Sequence, residues 1–426
     1  MQSRQQVVLS ALAWEWSKGA TRSSWAPLCF SLFVFFGAGT SSCEGDGVRN
    51  HGAGADPLMC KSSEVFCAPD GGAAPYCADL ATDVVNCGCC GNACGLRQGC
   101  INGRCDDTTH FGFFVLGDMH AGPPVNVETV RIAMNQMHQI DPNAFAAFSN
   151  GDMVDSPSGA QWAAHDSLVS SVNFHGDFTC AKSFGAETRY FATVGDHDVG
   201  VGNWLTFWDQ HLAGQQPLGN HGTDGVYFSL KFANALFVLL DSEHVSADQT
   251  SWQDEQTGWL QSVLAGSDAQ QAQLKFMFLH QAVYSCSGHH APFVAALPWV
   301  DLAEQYGVNV VFGSHTHVYT RTCPKRHASC VDDGTGVVFV ETGPIGGNPR
   351  EVDGTTITAI GTDAAGNTRS DPYECVIGHD LMASSGGQND FCHVGVDGCQ
   401  AIVNCYVVAE GNTAAFDSWT VNGCRN

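Results

Sequence analysis

Basic residues are scarce in this 426-residue chain: 18 Lys and Arg stand against 43 Asp and Glu, a formal charge of -25. So acidic a surface repels a polyanion and lacks the counterion-releasing contacts that hold nucleic acid, which excludes extended DNA or RNA as a partner. A small phosphate ester held by metal ions stays open, because the charge of such ions dominates its immediate surroundings. Long apolar runs are scarce too. The one conspicuous stretch, Ala26 to Ala38, follows Lys18 and Arg22 and precedes the small residues Gly39 to Ser42. It is too short for a comfortable transmembrane helix and has the layout of a secretory signal. No internal repeat is present.

Residues 1–43 are therefore expected to form a signal, with two fates for Cys43. Ser41-Ser42-Cys43 resembles a bacterial lipoprotein cleavage box, although Thr40 stands where that box has Leu. On that reading Cys43 is lipidated and the protein is anchored to the membrane at the bacterial cell surface. On the other the signal is cleaved near Cys43 and the protein is secreted without lipid. Twenty cysteines suit either extracytoplasmic setting, since the cytosol keeps such thiols reduced. The hydrophobic content of 44% supports a large globular core, and the length calls for more than one unit. Residues 44–59, polar and Gly-rich, read as a linker. Residues 60–105 hold nine cysteines, at 60, 67, 77, 87, 89, 90, 94, 100 and 105. They resemble a small disulfide-rich module of secreted bacterial proteins, a spacer or adhesive surface, in which Cys89 departs from the usual spacing and is expected to be unpaired. The Cys87-Gly88-Cys89-Cys90 spacing leaves zinc as an alternative to disulfides.

From residue 106 to 426 strand-like and helix-like segments alternate. Val130, Ala133, Met134, Met137 and Ile140 recur at helical spacing, Trp252, Trp259, Leu260 and Val263 mark a second helix, and Leu302 to Tyr306 close a third. Tyr227–Leu230 and Leu236–Leu240 read as a hairpin around Ala233-Asn234, and two strands close the chain at 401–408 and 414–421. Residues 346–390, rich in Gly, Thr, Asp and Ser, read as a loop-dominated insertion. Further cysteines stand at 180, 286, 323, 330, 375, 392, 399, 405 and 424, where Cys323 with Cys330 and Cys392 with Cys399 are near enough to close small loops.

Five short clusters each follow an apolar, β-prone run: Gly117-Asp118-Met119-His120, Gly151-Asp152, Gly195-Asp196-His197-Asp198, His280, and Gly313-Ser314-His315-Thr316-His317. Strand ends that present Asp and His side by side can converge on metal ions from a rigid edge. Hydrolysis of a phosphate ester needs a hydroxide made from water at neutral pH, and cover for the phosphoryl charge; two divalent ions about 3.5 to 4 Å apart supply both. Asp152 is the natural bridging carboxylate. Asp118, His120 and His317 complete one ion, and Asp196, His280 and His315 the other. This Asp/His set suits Zn, Mn or Fe. His197 is the candidate proton donor to the leaving oxygen, its ring oriented by Asp198.

The clusters resemble the calcineurin-like metallophosphoesterase superfamily, with its ordered D-x-H, GD, GNH[DE], H and GHxH, over about residues 110 to 345. The resemblance implies a four-layer αββα sandwich behind the disulfide-rich module, and hydrolysis of phosphomonoesters or phosphodiesters. Two departures stand out: Ser314 separates Gly313 from His315, and Asp196 occupies the asparagine position. Within the superfamily, purple acid phosphatases are most similar. His280-Gln281-Ala282-Val283-Tyr284-Ser285 resembles their H-x-P-x-Y-S, and His315 through Arg321 their H-x-H-x-Y-x-R. That likeness implies substrate contacts for His289 and His290. The tyrosine whose phenolate colours those enzymes is replaced by Asp155, and His120 is an added ligand, so a colourless centre is expected. Because an ionised aspartate accepts but cannot donate, Asp196 is expected to weaken binding of dianionic monoesters relative to diesters. A surface binding or adhesion protein with a degenerate metal domain is the alternative class.

Overall fold

The two-residue period of a strand decides which side chains face which layer. Phe237 joins a core with Phe113, Phe148 and Phe276, whereas its neighbours Leu236 and Val238 join a second core with Leu260, Val263, Leu297 and Trp299. One sheet thus has two buried faces, one on another sheet and one on helices. The computed structural model describes residues 60, 64–67, 76–83, 86–91, 98–101, 103–107, 110–142, 144–170, 190–199, 227–243, 250–288, 290–354 and 356–424. The expected signal with Cys43, the linker 44–59 and His289 lie outside them.

The module contains two small hairpins, β1 (Val65–Cys67) with β2 (Tyr76–Ala78) and β3 (Gln98–Ile101) with β4 (Arg104–Asp107). Disulfides join Cys60 to Cys77, Cys67 to Cys90 and Cys87 to Cys100. Cys87 and Cys90 are therefore committed to bridges, and the zinc alternative falls. Cys89 is also disulfide-bonded, as is Cys105, so the expectation of an unpaired Cys89 is corrected. A segment this small buries too little surface to hold itself, and covalent staples substitute.

The first large sheet is built from β5 (His110–Leu116), β6 (Ala146–Ser149), β7 (Tyr190–Ala192), β19 (Asp390–Asp397), β20 (Gln400–Val407) and β21 (Ala415–Asn422), in the order β21-β20-β19-β5-β6-β7. β5, β6 and β7 are parallel, and β19 pairs antiparallel with β5. The second sheet runs β18 (Leu381–Ser385), β12 (Tyr319–Thr322), β15 (Val338–Glu341), β11 (Val310–Ser314), β10 (Leu274–Gln281), β9 (Ala235–Leu239), β8 (Phe228–Phe232), with β15, β11, β10 and β9 parallel. Between the sheets lies a phenylalanine core, in which Phe148 stacks on Phe237 and Phe278 at 4.8 and 4.7 Å and Phe113 meets Phe237 edge-on at 5.1 Å.

Helices cover the outer faces. α1 (Pro124–Ile140) starts with a proline in its first turn, buries Val130, Ala133, Met134 and Met137, and crosses from β5 to β6. α2 (Gly159–Ser170) adds Trp162 and Leu168 on the same core. α3 (Thr250–Ala265), the short α4 (Ser267–Gln271) and α5 (Leu297–Tyr306) cover the second sheet; α5 stops at Gly307, which takes the left-handed conformation open to glycine. This is the αββα sandwich expected. Among the described residues, no helix is long and apolar enough to cross a membrane.

Residues 346–390 differ from the expected loop. They carry the hairpin of β16 (Thr356–Thr362) and β17 (Thr368–Glu374) as well as β18, and a shorter hairpin of β13 (Lys325–Arg326) and β14 (Ser329–Cys330) lies just before β15. β16 and β17 contribute Ile357, Ala359 and Tyr373 to the second core, too few apolar residues among the Gly, Thr, Asp and Ser of this stretch to stand out in hydropathy. Cys323 pairs with Cys330 as expected, whereas Cys392 pairs across the ladder with Cys405, and Cys399 with Cys424. Antiparallel pairing sets Cys392 directly opposite Cys405, which overrules nearness in sequence.

The two sheets are tied at one end by the Tyr-x-Arg segment. Tyr319 Oη and Arg321 Nε each donate to Asp417 Oδ2 at 2.7 Å, and Arg321 Nη2 donates to Oδ1 at 3.0 Å. Tyr319 and Arg321 belong to β12 and Asp417 to β21, so this clamp joins the second sheet to the first.

Candidate metal centre

Parallel strands align their carboxyl ends, and here those ends carry the five clusters on one edge of the sandwich. β5 leads to Asp118 and His120, β6 to Asp152, β7 to Asp196, and β11 to His315 and His317, while His280 sits within β10 at an irregularity in its pairing with β11. Such an irregularity re-aims a side chain, and His280 reaches the cluster while staying fully buried. Asp118, His120, Asp152 and His317 place one ligand atom each within 4.8 Å of one another; Asp152, Asp196, His280 and His315 do the same. The two groups share Asp152, and together they contain all seven residues expected to bind metal.

The backbone is bent to achieve this. Among the described residues seven non-glycine positions have left-handed φ, and four of them are His120, Asp152, His315 and His317. Each such residue costs on the order of 1 kcal/mol, and strain concentrated in this way marks a site that the surrounding structure over-determines. Close backbone contact makes the bends possible. A Cβ on Gly195 would lie 2.1 Å from Asp152 Oδ1, and one on Gly347 would lie 2.6 Å from the His120 ring.

Ring orientation is fixed from behind. His280 Nδ1 lies 2.7 Å from the Asn150 carbonyl and His317 Nδ1 2.6 Å from that of Asn348. A carbonyl can only accept, so both Nδ1 atoms carry the proton and both Nε2 atoms turn lone pairs inward. His317 Nε2 meets His120 Nε2 at 3.1 Å; His280 Nε2 meets His315 Nδ1 at 3.1 Å and Asp196 Oδ1 at 3.2 Å. Burial lowers the His120 pKa to about 4, which keeps it neutral as a ligand must be, and its Nδ1 is buried without a hydrogen-bond partner. Asp118 is fully buried; burial raises its pKa, but the imidazoles of His317, His280, His120 and His315 outweigh this and lower it. Burial, with Asp118, Asp198 and Asp196 close by, drives the Asp152 carboxyl well above its ordinary value. Carboxylates and imidazole nitrogens converging this closely from a rigid edge fit a pair of divalent cations.

The outer residues fall less uniformly. His197 is exposed, its ring meets that of His120 edge-on at 4.4 Å, and its Nδ1 lies 2.8 Å from the Asp155 carbonyl. Asp198 does not orient that ring, which corrects the expected pairing. Its carboxylate instead accepts from the backbone N–H of Met153 and Gly195, both at 2.9 Å, so it ties together the loops after β6 and β7. Burial raises its pKa to about 7. His290 packs its ring 4.0 Å from that of His315, at the edge of the centre.

Several supporting residues carry little sequence signal. Glu341, buried at the end of β15, accepts from Thr316 and Thr320 and so anchors the loop bearing His315 and His317; burial raises its pKa to about 8. A lone acid closing the apolar run Val337–Val340 was its only trace. Asn150 and Asn348 act through backbone carbonyls, which no side-chain pattern reveals.

Two ligand groups sharing a carboxylate on one edge of an αββα sandwich form a candidate site for a pair of metal ions. Residues 111–319 match the family model of the calcineurin-like phosphoesterases. Among solved structures it is similar to purple acid phosphatase PPD1 from yellow lupin (Lupinus luteus) seeds, with 15% identity and a TM-score of 0.52 over 74% of this chain and 54% of that one. The chain thus spans about half the length of that phosphatase. It is also similar to GAP50, the anchor in the inner membrane complex of Plasmodium, with 14% identity and a TM-score of 0.48 over 74% of this chain and 89% of that one. PhoD matches at 12% identity and a TM-score of 0.44 over 74% of this chain and 70% of that one. No curated protein matches the sequence.

Proposed function

We propose that the chain is an extracytoplasmic, dinuclear metal-dependent phosphoesterase acting on small phosphate esters. The observation that carries this reading is the pair of four-residue ligand groups sharing Asp152. When bound, two divalent ions of the Zn, Mn or Fe type neutralise phosphoryl charge and supply a nucleophile from water. Asp118, His120, Asp152 and His317 would hold one ion, and Asp152, Asp196, His280 and His315 the other.

The chain's own groups do the rest. With Nδ1–H of His197 held by the Asp155 carbonyl, Nε2 is left to hold and deliver a proton to the leaving oxygen. His290, seated on His315, contacts substrate at the mouth. Asp155 offers a carboxylate 3.7 Å from His120 Nδ1 and no phenolate, which supports a colourless centre. Asp196 adds a negative charge on the second ion and tilts preference from dianionic monoesters toward diesters. The disulfides support an oxidising compartment; release as a soluble protein and a lipid anchor at Cys43 are separable by labelling Cys43 with fatty acid in a bacterial host.

The test is metal analysis of purified protein together with hydrolysis of 4-nitrophenyl phosphate and bis(4-nitrophenyl) phosphate. About two ions per chain and turnover of at least one ester are expected. Neither ester hydrolysed with Mn or Zn added would overturn the enzyme reading.

A further inference from the structure

In a chain so short of cations, an arginine without a carboxylate beside a phosphoryl site has a chemical consequence. Of the cationic side chains described, Arg131 pairs with Glu128, Arg321 with Asp417, Lys325 with Asp380, Arg326 with Asp333, and Arg369 with Asp301, Glu304 and Asp371. Lys231 donates to Gln271 and Lys275 to the Tyr306 carbonyl. Among the cationic side chains described Arg350 alone has no such partner, and it is exposed. Its neighbour Glu351 does not neutralise it, since that carboxylate lies against Gly386 and Gly387, 2.9 Å from the Cβ position of each.

Arg350 is also fixed to the centre. Its backbone N–H donates to the His317 carbonyl at 2.8 Å, two residues after Asn348 accepts from the ring of that same histidine. Its carbonyl accepts from Gly387 N–H at 2.8 Å. The strand then continues to Val352, which bridges Ser287, and to Asp353, whose N–H donates to the Cys286 carbonyl at 2.7 Å. Cys286 is locked to Cys375, and the Tyr373 hydroxyl donates to the Ser285 carbonyl at 2.6 Å. Residues 347–353 therefore run as a strap from ligand His317 to the loop that carries His290. This strap lies outside the residues matched by the family model.

We propose that Arg350 is a substrate-binding residue that takes a phosphoryl oxygen through its guanidinium and restores the positive charge that Asp196 removes from the centre. The inference rests on the phosphoesterase reading. A guanidinium is suited to it, because its planar fork matches phosphate in two parallel hydrogen bonds, it stays charged at every working pH, and its long stem spans from the strap to a neighbouring site.

The experiment compares wild type, Arg350→Met and Arg350→Lys, each loaded with Mn, in two assays: calorimetric binding of inorganic phosphate, and steady-state hydrolysis of 4-nitrophenyl phosphate. For Arg350→Met, phosphate affinity is expected to fall and KM to rise by about ten- to a hundredfold, the range of a lost charge-assisted hydrogen-bond pair, with metal content and kcat little changed. Arg350→Lys should recover part of the affinity. In an Asp196→Asn background the effect of Arg350→Met should shrink. Unchanged phosphate affinity and KM in Arg350→Met overturn the proposal while leaving the phosphoesterase reading intact, as does a parallel loss of metal and kcat. If wild type binds phosphate and hydrolyses nothing, the catalytic reading fails, and the phosphate assay alone still decides Arg350.

Discussion

Replacing Asp196 by Asn removes one negative charge from the second ligand group and leaves its shape. The Asp196 carboxylate lies 3.2 Å from His280 Nε2 and 3.1 Å from His315 Nδ1, and although burial raises its pKa, its contacts with these two imidazoles hold it far below the ordinary range. The aspartate is thus ionised at any working pH. Its group spans no more than 4.8 Å, so a phosphoryl oxygen at the centre stands about 5 Å from the charge. A unit charge there is worth about 3 kcal/mol at an effective dielectric of about 20. The side chain is 44% exposed, and solvent screening reduces this to about 1 kcal/mol for each substrate charge. A dianionic monoester should then gain about 2 kcal/mol from the substitution and a monoanionic diester about 1. In kcat/KM this is about thirtyfold for 4-nitrophenyl phosphate and about fivefold for bis(4-nitrophenyl) phosphate, so the ratio between them shifts about fivefold. The assay needs both substrates at one pH and a metal count on each protein. A ratio that stays constant while both ions are retained refutes the electrostatic reasoning, and so does a fall in monoester turnover.

Two further outcomes follow from the buried groups. Because burial raises the Glu341 pKa from 4.5 to about 8, the unfolded state ionises first as pH rises. The group's contribution is therefore full below about pH 4.5 and is lost progressively up to about pH 8, on the order of a few kcal/mol across the window. Glu341→Gln keeps an acceptor for Thr316 and cannot ionise, so its denaturant midpoint should gain on wild type through that window; parallel pH profiles for the two proteins would count against it. Asp417→Ala leaves Arg321 and Tyr319 nearly buried without their acceptor and should cost about 3 kcal/mol in urea unfolding, whereas a loss under about 1 kcal/mol would mean that the clamp between the sheets contributes little.

The sequence carried the ligand set almost whole, and the reason is geometric. A parallel strand delivers its last residue to a predictable edge, so an apolar run followed by Asp or His is visible in one dimension. What acts through the backbone is not. The carbonyls of Asn150, Asn348 and Asp155 orient three histidine rings, and any residue could have supplied them. Asp198 illustrates the trap of adjacency: it stands next to His197 in sequence, yet the tight turn at 195–198 directs its carboxylate back to Gly195 and Met153. The same error made Cys399 a candidate partner for Cys392 when ladder register selects Cys405. β16 and β17 escaped notice because their inward face is mixed, Ile357, Ala359 and Tyr373 standing beside the buried Arg369 and Asp371, so burial alternates where hydropathy does not.

Sheet order also has a consequence for biosynthesis. β5, which positions Asp118, is paired along one edge with β19, Leu116 opposite Phe391. That partner emerges from the ribosome some 274 residues later, on the order of tens of seconds at about 5 to 20 residues per second. Throughout that interval the strand leading to the first candidate metal ligand has an open edge that includes Phe113 and Phe114, a template for pairing with other chains. The nascent protein should therefore depend on a holding chaperone until residues 390–397 arrive, and a ribosome that stalls before them should yield an aggregate rather than a weakened fold.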